Sequence, residues 1–203
     1  MLFRSVSSFI IFPAMAGLAA VAESLISFVL TDKWLPAVPF LQIYCLFYAF
    51  QPIQTANLQT YNAIGRSDIF LKLEIIKKSI GLLILSVSIF FGIYAIAIGA
   101  AISSVINTLI NAYPNIKLLN YSYMEQLKDI LPSLLLSIIM GVVVYCVQFL
   151  ELNNLSTLVL QIVIGLSIYI SGAYIFKLES FKYLSDLLKI LIKKLTLPHI
   201  KLF

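Results

Sequence analysis

Six mostly apolar stretches of about twenty residues run through this chain, and they leave little freedom in what it can become. A helix rises 1.5 Å per residue, so about 20 apolar residues cross the ~30 Å hydrocarbon layer. The stretches lie near 6–30, 38–62, 69–91, 94–112, 131–150 and 155–176. Charged residues make up 11% of the 203, too few to clothe a water-soluble globule, since soluble domains carry about a quarter. Backbone groups left unpaired in lipid cost several kcal/mol each, which excludes open strands and leaves helices. The expected fold is an all-α membrane protein: a six-helix transmembrane bundle over 1–176, then a basic amphipathic tail over 177–203. Short links make successive helices antiparallel neighbours. A longer polar connector is expected near 113–129.

The first stretch imitates a secretory leader, with Arg4 before an apolar run that reaches Ala20-Val21-Ala22. Pro13 within it, and its continuation to Leu30, favour a retained first span. Cys45 and Cys146 lie in apolar runs without a neighbouring His or Cys, so they read as packing residues rather than a disulfide or metal site. His199, the single histidine, sits on the polar tail and reads as a solvated residue.

Charge placement tests the six-span map. With sides assigned by alternation, one side holds Arg4, Arg66, Lys72, Lys77, Lys78, Lys117 and Lys128. It also holds Lys177, Lys182, Lys189, Lys193, Lys194 and Lys201. The other holds only Lys33, so the fourteen basic residues divide thirteen to one. Lys and Arg in short loops stay cytoplasmic. Both termini are therefore expected inside, in a plasma membrane. In the tail, Leu184, Leu187, Leu188, Leu191, Ile192 and Leu195 recur at helical spacing among lysines. This predicts an amphipathic helix on the inner leaflet, whose apolar face and lysines suit anionic lipid.

Polar residues inside a span are informative because lipid gives them no partner. In the second span Gln51, Gln54, Thr55, Asn57, Gln59, Tyr61 and Asn62 cover about 200° of arc at 100° per residue. That is wider than one helix contact needs, and suits a wall of a water-filled cavity. Pro52 removes a backbone donor there and predicts a kink. The fourth span carries Ser103, Ser104, Asn107, Thr108 and Asn111, and the fifth Ser133, Ser137, Gly141, Tyr145 and Gln148. These narrower stripes suit close helix contacts with cross-helix hydrogen bonds. Asn107 and Asn111 remain cavity candidates beside them.

Glu23 is the one acid deep in an expected span, about 12 Å from the Thr31 end. It is a candidate for coupling transport to an ion. The alternative is a carboxyl near the outer interface, hydrogen-bonded within the bundle. Arg66, Lys72, Lys77 and Lys78 suggest a basic collar at the cytoplasmic mouth for a phosphate or pyrophosphate. Ordinary positive-inside charge explains the same residues equally well, and Glu74 is spaced to pair with Lys77 or Lys78. No motif for catalysis, metal or cofactor binding occurs, and nothing suggests nucleic acid as a partner.

The runs Phe12-Pro13-Ala14-Met15-Ala16-Gly17-Leu18-Ala19-Ala20-Val21-Ala22-Glu23 and Lys33-Trp34-Leu35-Pro36-Ala37-Val38-Pro39-Phe40-Leu41-Gln42 resemble the polysaccharide-repeat flippases. So does Asn62-Ala63-Ile64-Gly65-Arg66-Ser67-Asp68. These flippases form the polysaccharide branch of the multidrug/oligosaccharidyl-lipid/polysaccharide exporter superfamily. Ser24 departs from the pattern, since relatives often carry Pro after the Glu. The resemblance is to the C-terminal half, one six-helix lobe of a two-lobed machine. It implies a non-enzymatic role in flipping undecaprenyl-pyrophosphate-linked oligosaccharides across the bacterial inner membrane. Partners would be that substrate, membrane lipids and an N-terminal lobe or second copy. No cofactor is implied. A membrane polysaccharide polymerase or ligase, or a multidrug exporter of the same superfamily, are the alternatives. The first predicts a long outer loop with Arg or His, the second an acidic cavity.

Overall fold

The computed structural model describes residues 2–119, 122–150 and 152–196, with side chains from Arg4 onward and without those of 117–119 and 191–196. His199 and Lys201 lie outside the described residues, as do the side chains of Lys117, Lys193 and Lys194. The described residues form eight α-helices: α1 (Leu2–Leu30), α2 (Val38–Ala49), α3 (Gln51–Ala63), α4 (Ser67–Ser88), α5 (Ile93–Leu119), α6 (Tyr123–Cys146), α7 (Asn154–Ile175) and α8 (Glu179–Thr196). Short 3-10 turns cover Asp32–Ala37, Ile89–Phe91 and Val147–Leu150.

The expected connector at 113–129 is mostly helix. α5 runs on through Pro114 to Leu119. α6 begins at Tyr123 because Ser122 and Glu125 form a capping box, the Ser122 N–H donating to the Glu125 carboxylate at 2.8 Å and the Glu125 N–H to Ser122 Oγ at 3.3 Å. Two first-turn donors are thereby satisfied. Pro132, beside the start of the fifth stretch expected at 131–150, lies inside α6.

Among the described residues four helical segments are long and apolar enough to cross a membrane: Arg4–Leu30, Ile93–Ile116, Tyr123–Leu150 and Asn154–Ile175. The second and third expected spans differ for separate reasons. The second is interrupted at Phe50, which ends α2 and precedes α3, so each piece has 12 or 13 residues. Pro52, in the first turn of α3, needs no donor there. The third, α4, has 22 residues but carries Asp68, Lys72, Glu74, Lys77 and Lys78 between its start and its middle.

Contacts fix the helix directions. Arg4 meets Asp129 and Gly17 faces Met140, so α1 and α6 run parallel. Gln54 meets Ser104 and Tyr61 meets Asn111, so α3 and α5 do too. α6 and α7 are antiparallel through Val144–Gln161 and Leu136–Gly172. α4 and α5 are antiparallel through Ser88–Gly99 and Gly81–Ser103.

The main core lies where α1, α6 and α7 meet, with Phe9, Val21, Met140, Val144, Tyr169 and Ala173 buried together. Tyr169 sets the depth of α7, its hydroxyl donating to the Phe9 carbonyl at 2.8 Å. A smaller cluster of Phe12, Ile53 and Ile130 ties α1, α3 and α6. Leu178, just before α8, and Phe181 and Leu184 within it pack onto the main core, with Phe181 6.2 Å from Phe9. Leu187, Leu188 and Ile190 of α8 point outward. The amphipathic helix expected in the tail is thus present over Glu179–Thr196, with its apolar residues divided between the bundle and the surroundings.

Gly99 sets how closely α5 approaches α4. A Cβ there would lie 2.6 Å from Ser88 Oγ and 3.0 Å from Ile84 Cγ2. Gly81→Ala meets only Ser103 Oγ at 3.8 Å. Gly99→Ala is expected to destabilise the bundle by about 1–3 kcal/mol, and Gly81→Ala to leave the detergent-phase Tm nearly unchanged. Equal Tm shifts in the two variants would show that the α4–α5 approach is not set at Gly99.

Candidate functional site

The polar face of α3 is two stripes with different surroundings. At 100° per residue, Gln54, Asn57 and Tyr61 fall within about 60°, and Gln51, Thr55, Gln59 and Asn62 within about 80° on the adjoining side. The first stripe is buried and the second half-buried to exposed.

The buried stripe forms a hydrogen-bonded network with α5 and α6. Gln54 Nε2 donates to the Ser104 carbonyl at 3.1 Å and to Ser104 Oγ at 3.0 Å. Ser104 Oγ in turn donates to the Phe47 carbonyl at 2.9 Å, capturing a carbonyl near the α2–α3 break. Asn57 is central: it donates to Gln126 Oε1 at 3.2 Å and accepts from Asn115 Nδ2 at 2.8 Å. The Tyr61 hydroxyl donates to the Asn111 carbonyl, and Tyr61 is 0% exposed. Buried amides of this kind fix helix register, because an unpaired one in a low-dielectric interior is costly. Of the candidate residues, Gln54, Asn57 and Asn111 are therefore held inside the helix packing.

Gln51 and Thr55 line a groove of about 530 Å³ between α1 and α2–α3. Ile11, Met15 and Leu18 of α1 form one wall, and Tyr44 and Tyr48 of α2 stand on the other. Ser7, Gln51 and Thr55 gather at the end near the start of α1. The groove is thus apolar along most of its length and polar at one end. Gln59 and Asn62 are exposed beyond it.

The basic residues do not converge on one mouth. Arg66 to Lys78 spans twelve residues, or about 18 Å along an axis. Arg66 is bound by Asp68 through Nε and Nη2 at 2.8 and 3.0 Å. That hydrogen-bonded guanidinium holds the Asp68 carboxyl below the ordinary carboxylate range. Lys77 is buried and paired with Glu74. The pair borders a cleft of about 460 Å³ between α4 and α5, which Lys78 and Asn107 also line. Lys72 and Lys78 are exposed. Glu23 lies on the exposed surface of α1, between buried Ala22 and Ser24.

Sequence reasoning missed Asn115 and Gln126, because both fall in the stretch read as a connector. The signal was present: Asn107, Asn111 and Asn115 recur every four residues, the spacing of one helix face. It also missed the groove tyrosines and the Arg4–Asp129 ion pair, 2.7 Å apart across α1 and α6.

The polysaccharide biosynthesis protein family matches residues 2–39. An uncharacterized membrane protein in the cps region of Klebsiella pneumoniae is 28% identical over 179 residues, covering 84% of this chain and 36% of that protein. The lipopolysaccharide biosynthesis protein WzxC of Escherichia coli (strain K12) is 28% identical over 151 residues, covering 68% of this chain and 30% of that protein. No solved structure matches significantly. The chain thus spans about a third of the length of these curated relatives. It is a multi-pass membrane protein, and along that third it is similar to membrane proteins of polysaccharide biosynthesis.

Proposed function

We propose that this chain acts as one lobe of a transporter that moves polyprenyl-pyrophosphate-linked oligosaccharides across the bacterial plasma membrane for surface polysaccharide assembly. The groove between α1 and α2–α3 carries this reading, because its two-part chemistry matches an amphiphile with an apolar tail and a hydroxyl-rich head. Ile11, Met15 and Leu18 suit the tail. Gln51, Thr55 and Ser7 offer hydrogen bonds to sugar hydroxyls. Exposed Lys72 and Lys78 are the cations left for a pyrophosphate, since Arg66 and Lys77 already hold carboxylates. Transport needs only binding and a change of access, so the role is not enzymatic.

The same reading takes six passes with both termini inside. α2 and α3 together cross once: 26 residues from Val38 to Ala63 reach about 39 Å, and Phe50 between them keeps helical angles. α4 crosses with Lys72 and Lys78 extending toward the headgroups. Cysteines placed at 33 and 128, in a background without Cys45 and Cys146, are expected to label from opposite sides of the membrane. Labelling from one side would remove the six-pass map.

In a flippase-deficient strain, the chain alone is expected not to restore surface polysaccharide, and the chain with a supplied N-terminal lobe is expected to restore it. Rescue in neither case would sink the transport reading. In the rescued strain Gln51→Leu with Thr55→Leu is expected to cut surface polysaccharide about tenfold at equal protein level, the effect of losing one to two hydrogen bonds to substrate.

A further inference from the structure

A polar cavity of about 400 Å³ sits at the end of the bundle where α1 and α6 begin and α7 gives way to α8. Lys128, Lys177 and Glu179 stand around its rim, with Ser5 and Ser180 on its floor and Asp129 beside them. The floor is rigid. Ser180 is 4% exposed, and its hydroxyl lies 2.7 Å from that of Ser5. Asp129 is engaged by Arg4. Lys177 is fixed by its own turn: it takes a left-handed conformation (φ 48°), and the next N–H, of Leu178, reaches back to the Ala173 carbonyl at 3.1 Å. That arrangement closes the C-terminus of α7. Lys128, Lys177 and Glu179 make no ion pair among the described residues.

The surroundings identify the medium. Exposed Leu131 and Leu135 of α6, and Tyr174, Ile175 and Phe176 at the end of α7, continue from the cavity along the outside of the bundle. A cavity with both signs of charge at its rim and bare apolar residues below it lies at headgroup depth. We propose that it binds the headgroup of a zwitterionic phospholipid bearing a primary ammonium, a phosphoethanolamine lipid. Lys128 and Lys177 take the phosphate, Glu179 takes the ammonium, and the acyl chains run along α6 and α7. The Glu179 carboxylate, which holds no cation among the described residues, disfavours a second negative charge at that place. A quaternary ammonium has no N–H to give Glu179, and a single aromatic side chain, Phe176, is not the cage that such cations take.

The test uses the full chain purified in detergent, with lipid retention read by native mass spectrometry against phosphatidylethanolamine, phosphatidylglycerol and phosphatidylcholine of matched acyl chains. The wild type is expected to retain phosphatidylethanolamine about tenfold over either competitor. E179Q is expected to abolish the preference over phosphatidylglycerol while keeping phospholipid bound. K128A and K177A are expected to weaken all three. Glycerophosphoethanolamine is expected to displace the lipid, and inorganic phosphate at the same concentration is not. Equal retention of the three lipids, a preference for phosphatidylglycerol, displacement by phosphate alone, or a preference unmoved by these variants would each overturn the proposal.

Discussion

Tyr61→Ala is expected to destabilise the bundle by about 3 kcal/mol, the low end of the cost of emptying a large buried site. Tyr61 is fully buried and sits where α3 meets α5, so its ring fills space that the neighbouring helices cannot close without shifting. Tyr61→Phe separates the two contributions. It keeps the ring and loses only the hydrogen bond to the Asn111 carbonyl, and a cross-helix hydrogen bond in a membrane protein averages about 0.6 kcal/mol. Thermal or denaturant unfolding in detergent measures both. A Phe variant as unstable as the Ala variant would place the contribution in the hydroxyl rather than in packing.

Asn57→Leu is expected to cost a similar amount, about 3 kcal/mol, for a different reason. It strands the Gln126 acceptor and the Asn115 donor in a buried interior, and each stranded group costs about 1–3 kcal/mol. Replacing all three amides by leucine removes the groups that would be stranded. The triple variant is therefore expected to be more stable than Asn57→Leu alone, since apolar replacement of every partner can be nearly neutral. The sign of that difference is the measurement that matters. A triple variant at the sum of three single losses would show that the amides act independently.

The same residues explain what was legible in the sequence. Apolar length and missing charge specify helices, and helices are what the chain forms. Periodicity also placed polar residues correctly along α3. It did not show that one arc served two neighbours, because a projection onto a single helix carries no information about what lies opposite. Gln54, Asn57 and Tyr61 turned inward only because α5 and α6 bring Ser104, Asn115 and Gln126 to meet them. The spread of the basic collar has a related cause. Arg66, Lys72, Lys77 and Lys78 were grouped by proximity in sequence, whereas 1.5 Å per residue strings them along α4, and two carboxylates on that helix take two of the four. Pro132, beside the expected start of the fifth span, sits within α6, which its capping box starts at Tyr123.

The position of α1 has a consequence for how the chain is made. Its partners are far away in sequence: Arg4 meets Asp129, 125 residues later, Phe9 meets Tyr169 after 160, and Ser5 meets Ser180 after 175. At about 5–20 residues per second, roughly 6–25 s separate synthesis of Arg4 from that of Asp129. Of its contacts among the described residues, α1 has during that interval only those with α2, α3 and the turn at Asp32–Ala37. A ribosome stalled before Tyr123 therefore leaves in the bilayer a helix whose principal neighbours do not yet exist, and the quality-control machinery of the membrane meets that intermediate before the main core can form.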